Sequence, residues 1–170
     1  MAEKEIVQKI TEKTSYAEGE VKREKRIEFH IPSDRITEFL RKLKNNNFES
    51  LMQITVVDWL KDEKFELVYQ IWSHTHKIHA FTKVEIPREE NPEISTVKDI
   101  FPVAETYERD AHDFYGIKFD GNEKIEMPWI LDGPEMDKHP HRKDFNMLEY
   151  AKKKYKNLDR YDENKNNYVI

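Results

Sequence analysis

The sequence predicts an α+β fold: a two-layer domain with helices on one face of a mostly antiparallel sheet, followed by an extended irregular C-terminal tail. Three observations predict this class. Four segments alternate apolar with polar residues, two segments repeat apolar residues with the period of an amphipathic helix, and short polar links join the last strands. We expect residues 1–20 to be an N-terminal arm, residues 21–119 to be the folded domain, and residues 120–170 to be an extended docking segment and tail.

The first half of the chain predicts an arm, a strand and a helix. The arm carries only a weak helical pattern, so we expect it to lie loosely outside the core. The strand covers residues 26–31, which alternate apolar with polar side chains, and Pro32 ends it. Ser33 is a candidate N-cap for the helix. Its apolar face has the spacing i, i+3, i+4, i+7: Ile36, Phe39, Leu40 and Leu43.

Three further strands are predicted over residues 51–59, 65–72 and 77–86. In the last of these, every second residue from Ile78 to Ile86 is apolar or Thr, which indicates one buried face. The turns between the three strands, residues 61–64 and 73–76, are only four residues long. We therefore expect two antiparallel hairpins between neighbouring strands.

A second helix is predicted after the loop that follows Pro87. Thr96 and Asp99 have the spacing of a capping box, and the apolar series continues from Ile100 to Phe114. Gly116 is the expected C-cap, since glycine adopts the left-handed conformation that ends many helices.

The predicted tail has little regular pattern. Pro128, Pro134 and Pro140 interrupt regular structure, and residues 146–170 are mostly polar with several tyrosines between charges. The tyrosines are suited to anchor the tail on the surface of another protein, but the composition is equally typical of a frayed terminus.

Composition excludes several functional classes. The 170 residues carry a net charge of −5 with both signs mixed, which argues against nucleic acid as a partner. The chain has no Cys, so disulfides, thiolate nucleophiles and Cys-ligated zinc or iron–sulfur centres are excluded. No apolar run has the length of a membrane span, and the N-terminus lacks the pattern of a signal peptide, so we expect a cytoplasmic location.

Charged residues are concentrated on the second predicted helix, where Arg109 lies four residues from both Glu105 and Asp113. Carboxylates near an imidazole are able to support acid–base chemistry, yet a solvated face of ion pairs is the commoner meaning of such a run. Nothing nearby completes an active site, and the density of charged and aromatic residues indicates docking rather than catalysis.

Two clusters contain histidine. The spacing of His74, His76 and His79 suggests a metal site, but the first two fall at a predicted turn and His79 faces away from His76. In the segment 139–144, Arg142 is suited to bind a carboxylate or phosphate of a partner. Alternatively, Asp144 neutralises the cations of that segment internally.

Two motifs resemble the signature of the C subunit of respiratory complex I, the NADH-quinone oxidoreductase. This family includes the corresponding small subunit of energy-converting membrane-bound nickel–iron hydrogenases. The matching residues are Glu108, Arg109, Asp113, Tyr115, Gly116, Ile117 and Phe119, and then His139, Pro140, Arg142, Lys143 and Asp144. Residues 54–59 and 65–69 also resemble strands of the family, so the resemblance covers about residues 25–145.

The chain departs from the family after Phe119. The family has the pattern H-P-x-L-R-R there, whereas residues 122–127 read N-E-K-I-E-M, so both arginines are absent. This departure resembles the divergent hydrogenase-type branch more than a quinone-reducing complex.

The resemblance implies a non-catalytic structural subunit without a cofactor or metal. Such a subunit supports the large catalytic subunit and the iron–sulfur subunit in the peripheral arm of a membrane complex, on the cytoplasmic side. It implies interface roles for the matched residues, above all Arg142, Lys143 and Asp144. The energy-converting hydrogenase is the preferred complex, with a complex I-type quinone oxidoreductase or a membrane-bound sulfur-reducing complex as alternatives. A His-based metallohydrolase, using His74 and His76, is the alternative from a different class.

Overall fold

A computed structural model describes residues 2–12, 14–131, 138–154, 161–162 and 167–168. Within these ranges the helices are α1 Ala2–Thr11, α2 Ile36–Asn45, α3 Ala104–Tyr115 and α4 Met147–Lys154. The strands are β1 Glu18–Arg23, β2 Arg26–Ile31, β3 Ser50–Trp59, β4 Lys64–Ser73, β5 Ile78–Pro87, β6 Glu93–Ser95, β7 Lys118–Asp120, β8 Tyr161–Asp162 and β9 Asn167–Tyr168. The predicted α+β class is confirmed.

Five strands form the main sheet in the order β1-β2-β5-β4-β3. The two predicted hairpins, β3–β4 and β4–β5, are antiparallel as expected, and only β2 and β5 run parallel within this sheet. Buried residues alternate strictly with less buried ones along β4 and β5, because successive side chains of a strand point to opposite faces. The buried face packs against the apolar stripe of α2 and against α3, and the opposite face is mainly polar.

The expectation of a loose N-terminal arm is wrong for α1. Val7 and Ile10, three residues apart on one side of this helix, are 8% and 1% exposed and belong to the core. A weak amphipathic pattern is enough here because α1 packs mainly against β1 and β2, so a narrow apolar stripe covers the surface that the helix meets. The boundary between domain and tail at residues 119 and 120 stays a prediction.

Both predicted helix starts are displaced. Ser33 begins a short 3-10 turn without a side-chain cap, and α2 starts at Ile36. Thr96 and Asp99 do not cap α3, which begins at Ala104, because the residue before Pro102 is disfavoured in a helix. The C-cap prediction is confirmed: Gly116 has φ 72° and its N–H donates to the His112 carbonyl at 2.7 Å.

The described residues after β7 are mainly irregular, apart from α4 and the short β8–β9 pair. Within it, Tyr150 lies against Phe145 at a ring distance of 5.6 Å. The other tail tyrosines have side chains outside the described part, so their role as anchors stays a prediction. None of the helices among the described residues is long and apolar enough to cross a bilayer.

Candidate interaction site at the C-terminal end of helix α3

Glu108 fixes the segment before α3 to the helix. Its carboxylate is fully buried and accepts hydrogen bonds from the Thr96 hydroxyl at 2.6 Å, the Val97 N–H at 2.8 Å and the Asn122 amide at 2.9 Å. Burial raises the pKa of Glu108, and the three hydrogen bonds oppose that rise. Burial, and then the nearby Glu108 carboxylate, raises the pKa of Tyr69 on β4 well above its ordinary value. Glu108 is therefore a structural anchor between α3 and two loops.

Arg109 holds the loop that follows β7 rather than a neighbour on its own helix. Its Nη2 donates to the carbonyls of Met127 at 3.1 Å and Pro128 at 2.8 Å. The guanidinium also lies 4.9 Å from the centre of the Trp129 ring, a cation–π contact. Arg109 thus fixes both the backbone of this loop and its aromatic side chain.

Asp113, one turn further along α3, fixes the next two residues of the same loop. Its Oδ2 accepts the N–H groups of Ile130 at 2.7 Å and Leu131 at 3.0 Å. The predicted i, i+4 pairs of Arg109 are therefore replaced, because the loop supplies backbone carbonyls to the cation and N–H groups to the anion. Glu105 pairs with Lys124 instead, at 2.9 Å.

The turn at Gly116 brings the second motif against the first. A Cβ at Gly116 would lie 2.6 Å from His139 Nε2 and 2.9 Å from Arg142 Nη2, so any other residue would have to displace one of these side chains as well as adopt a left-handed backbone conformation. His139 Nδ1 is 3.1 Å from the Asp113 carbonyl, and Arg142 Nε donates to the Tyr115 carbonyl at 2.7 Å. Both signature motifs therefore pack together at the C-terminal end of α3, and we call this unit the α3 corner. In it, side chains of the second motif bind carbonyl groups that have no partner within the helix.

Arg142 makes its contacts within the chain, inside this corner. Its guanidinium lies 5.4 Å from the centre of the Phe65 ring on β4, and Arg88 lies 5.5 Å from the same ring. Burial, and then the nearby Arg88, lowers the pKa of Arg142. Whether Arg142 also reaches a partner stays a prediction.

A second ion-pair cluster joins the end of β3 to the segment 139–144. Asp58, 3% exposed, accepts from Arg88 Nε at 2.8 Å, from Arg88 Nη2 at 3.3 Å and from the Lys143 backbone N–H at 2.8 Å. Arg88 also pairs with Asp144 at 2.6 Å, and this hydrogen bond is the main cause that lowers the pKa of Asp144. The neutralising partner of Asp144 is thus Arg88, rather than a cation of its own segment.

The remaining motif residues lie nearer the surface. Pro140 is half-buried, and the neighbouring His141 stacks on Phe114 at 4.1 Å with the rings nearly parallel. The exposed Lys143 has its ammonium 5.9 Å from the Trp59 ring, and Tyr115 packs edge-on against Phe65. Lys143 is therefore the motif cation that is most accessible to a partner.

Sequence reasoning missed several residues that build the corner. Asp58 lies two residues after Val56 and four after Ile54, so it is on the same buried face of β3. A carboxylate on a buried face needs a cationic partner inside the protein, which the sequence pattern could have indicated. Asn122 and Arg88 carried no comparable signal, because a long cation after Pro87 and an amide in a loop are ordinary surface residues. Their roles depend on tertiary contacts.

The three histidines suggested by spacing do not converge. His74 bonds to Ser50 and Trp72, His76 lies 3.2 Å from the Asn46 carbonyl, and His79 lies 3.2 Å from the Gln70 amide. Each ring therefore has its own neighbours, which does not fit a shared ion.

Within the described ranges, one group of carboxylate and imidazole ligands lies close together: Glu20, Glu28 and His30 on β1 and β2. Glu28 lies between Arg26 and Lys83, at 2.9 Å and 3.1 Å. These two cations already neutralise the carboxylate, so the group is a poor fit for a divalent metal.

The chain belongs to the family of the 30 kDa subunit of the respiratory-chain NADH dehydrogenase, whose model matches residues 29–151. The resemblance to the C subunit of complex I is thereby confirmed. The match contains the α3 corner, including both motifs and the residues that join them.

Individual relatives point in the same direction. The NADH-quinone oxidoreductase C subunit of Moorella thermoacetica is 32% identical over 118 residues, 69% of this chain and 78% of that protein. The F(420)H(2) dehydrogenase C subunit of Methanosarcina mazei is 29% identical over 143 residues, 82% of this chain and 89% of that protein. Against several other curated relatives, the match spans 49% to 58% of the relative's length.

A solved structure is more similar still. A chain in the structure of the membrane-bound sulfane sulfur reductase, described as an archaeal respiratory membrane complex, is 56% identical with a TM-score of 0.92. The match covers 99% of this chain and 100% of that chain.

Proposed function

We propose that this protein is a structural subunit of a membrane-bound sulfur-reducing respiratory complex. The observation that carries the proposal is the 56% identity over nearly the whole length of a chain from the sulfane sulfur reductase. This identity is much higher than the 29% and 32% found for subunits of the F(420)H(2) and NADH-quinone enzymes. Sulfur reduction, an alternative in the sequence interpretation, therefore becomes the preferred chemistry of the complex.

The chemistry of the corner supports a structural role. The carboxylates of Glu108 and Asp113, and the guanidinium of Arg109, bind loop segments of the same chain. A residue that serves as acid, base or ligand needs a lone pair or proton directed at a substrate. We therefore assign catalysis and electron transfer to other subunits, which fits a chain that has no Cys to ligate a cluster.

The partners and location follow from this proposal. The chain would contact the large catalytic subunit and the iron–sulfur subunit, and attach through them to the membrane on its cytoplasmic side. The energy-converting hydrogenase stays a second candidate, because residues 122–127 lack both arginines of the quinone-reducing pattern.

The proposal is tested on the native complex. The chain, tagged and expressed in its own host, is purified from detergent-solubilised membranes and assayed for reduction of polysulfide, protons and a quinone. We expect a multi-subunit complex that reduces polysulfide. Proton reduction with no polysulfide reduction would favour the hydrogenase, and quinone reduction alone would favour the complex I type. Purification without membrane subunits would refute the proposal.

A further inference from the structure

The loop Met127–Leu131 exposes a contiguous group of large apolar side chains. Met127 is 53% exposed, Trp129 48% and Ile130 55%. Single exposed apolar residues are common on soluble proteins, whereas neighbouring ones in one short loop mark an interaction surface. Trp and Met are also enriched in protein interfaces.

Side chains of helix α3 fix the backbone of the loop at residues 127–131. Arg109 binds two of its carbonyls, and Asp113 binds two of its N–H groups, so four of its backbone groups are fixed by α3. The guanidinium of Arg109 also supports the Trp129 ring. A surface that is ordered before binding loses less conformational entropy when a partner docks, so these contacts prepare the loop for docking.

An acidic recess of about 240 Å³ adjoins the loop, and Met127 and Pro128 form part of its wall. Glu90 and Glu126 line it, and neither carboxylate forms an ion pair with any residue that the structure describes. Among the lining residues that the structure describes, Lys118 is the one Lys or Arg. His112 and His139 also line the recess, with Nδ1 atoms 3.1 Å from the carbonyls of Ile117 and Asp113. Two accessible carboxylates beside one ammonium favour a cationic side chain from a partner, and Arg suits them best because it binds carboxylates in a bidentate manner.

We propose that the loop Met127–Leu131 and this acidic recess form one docking surface for another protein subunit of the same complex. An apolar pocket of the partner would receive Trp129 and Ile130, and an Arg or Lys next to that pocket would enter the recess. The inference rests on the proposed function and adds the chemistry of the partner.

Charge decides against the two other occupants. A second copy of this chain, related by a two-fold axis at the loop, would bring the acidic recesses close together, where like charges repel. An anionic lipid surface would be repelled by Glu90 and Glu126. A partner subunit with a basic rim satisfies both the apolar and the charged part of the surface.

The test uses the tagged full chain in its host, with the other subunits quantified by mass spectrometry after purification from membranes. In Trp129→Ser/Ile130→Ser, we expect the yield of other subunits per tagged chain to fall about tenfold or more. In Glu90→Gln/Glu126→Gln, we expect a fall of about two- to fivefold and a weaker dependence on salt. The matched control is Met52→Ser/Val103→Ser, at two similarly exposed positions, which should keep the yield within about twofold of wild type.

Folding is checked on the purified chains. If the double Ser variant melts more than about 5 °C below wild type, Ile130→Ser alone decides, because it leaves the contact between Trp129 and Arg109 intact. Unchanged recovery of the other subunits by these loop variants would overturn the docking surface. So would a dimer of this chain, or binding to vesicles of anionic lipid, that Trp129→Ser/Ile130→Ser abolishes. If the wild-type chain recovers no other membrane subunits, the proposed function itself fails.

Discussion

Replacing Gly116 with Ala is the most direct perturbation of the α3 corner. Gly116 has φ 72°, a left-handed conformation that costs an L-residue about 1–2 kcal/mol. The new Cβ would also lie 2.6 Å from His139 Nε2 and 2.9 Å from Arg142 Nη2. Moving either side chain weakens a hydrogen bond to the end of α3, worth about 0.5–1.5 kcal/mol. We therefore expect Gly116→Ala to destabilise the fold by roughly 1.5–3.5 kcal/mol.

The assay is urea unfolding of the purified chain, followed by circular dichroism, with the melting temperature as a second measure. For a chain of this size, the melting temperature should fall by about 5–12 °C. His139→Ala is the informative partner variant, because it removes the ring nearest the new methyl group. In a double-mutant cycle, the cost of Gly116→Ala should be smaller in the His139→Ala background. A cost below about 1 kcal/mol, or strict additivity of the two changes, would refute the proposed packing of the corner.

Three further variants test other contacts. Asp58→Ala leaves Arg88 without its buried partner, so the free energy of unfolding measured in urea should fall by about 3–5 kcal/mol. The control Asp62→Ala, at an exposed position, should change this free energy little. Equal effects of the two variants would contradict the buried cluster. Arg142→Ala should destabilise the isolated chain by about 1–3 kcal/mol through loss of its bond to the Tyr115 carbonyl; an unchanged unfolding curve with impaired assembly would assign Arg142 to an interface instead. Glu108 has a folded-state pKa raised above 4.5 by burial, so its contribution to stability is complete below about pH 4.5 and is lost as the pH rises through the folded pKa. The stability of wild type relative to Glu108→Gln should therefore decline over that range in pH-dependent unfolding, and a rise would mean that the pKa shift has the opposite sign.

Local patterns predicted most of the fold. Apolar and polar residues alternate along β2, β4 and β5, so these strands are predictable from the pattern, although the polar Glu28 of β2 is buried as well. Gly116 is predictable as a C-cap because the left-handed conformation is a backbone property that glycine tolerates. Strand β1 was missed because it has a single large apolar residue, Val21. The prediction of a loose arm is wrong for helix α1. How much a narrow apolar stripe stabilises a helix depends on the surface against which it packs, and the sequence of the helix does not show that surface.

The contacts of the candidate site were harder to predict. The spacing of Arg109 and Asp113 is equally compatible with a pair on the helix surface and with separate contacts to a loop. The second outcome prevails because the chain returns past α3 after β7 and offers its backbone groups to both charges. Such a return is a tertiary event that residue spacing does not encode. The family resemblance located the motifs but did not separate internal contacts from interface contacts.

Electron cryomicroscopy of the complex purified through the tagged chain would show directly whether the chain is a structural subunit and which of its surfaces contact other subunits. We expect the chain outside the membrane, with Arg142 still bonded to the Tyr115 carbonyl and the loop Met127–Leu131 buried against another subunit. Polysulfide reduction by the same preparation would assign the complex to the sulfur-reducing type. A structure in which Arg142 leaves the corner to bind a neighbouring subunit while the loop faces solvent would contradict both the internal role of Arg142 and the proposed docking surface.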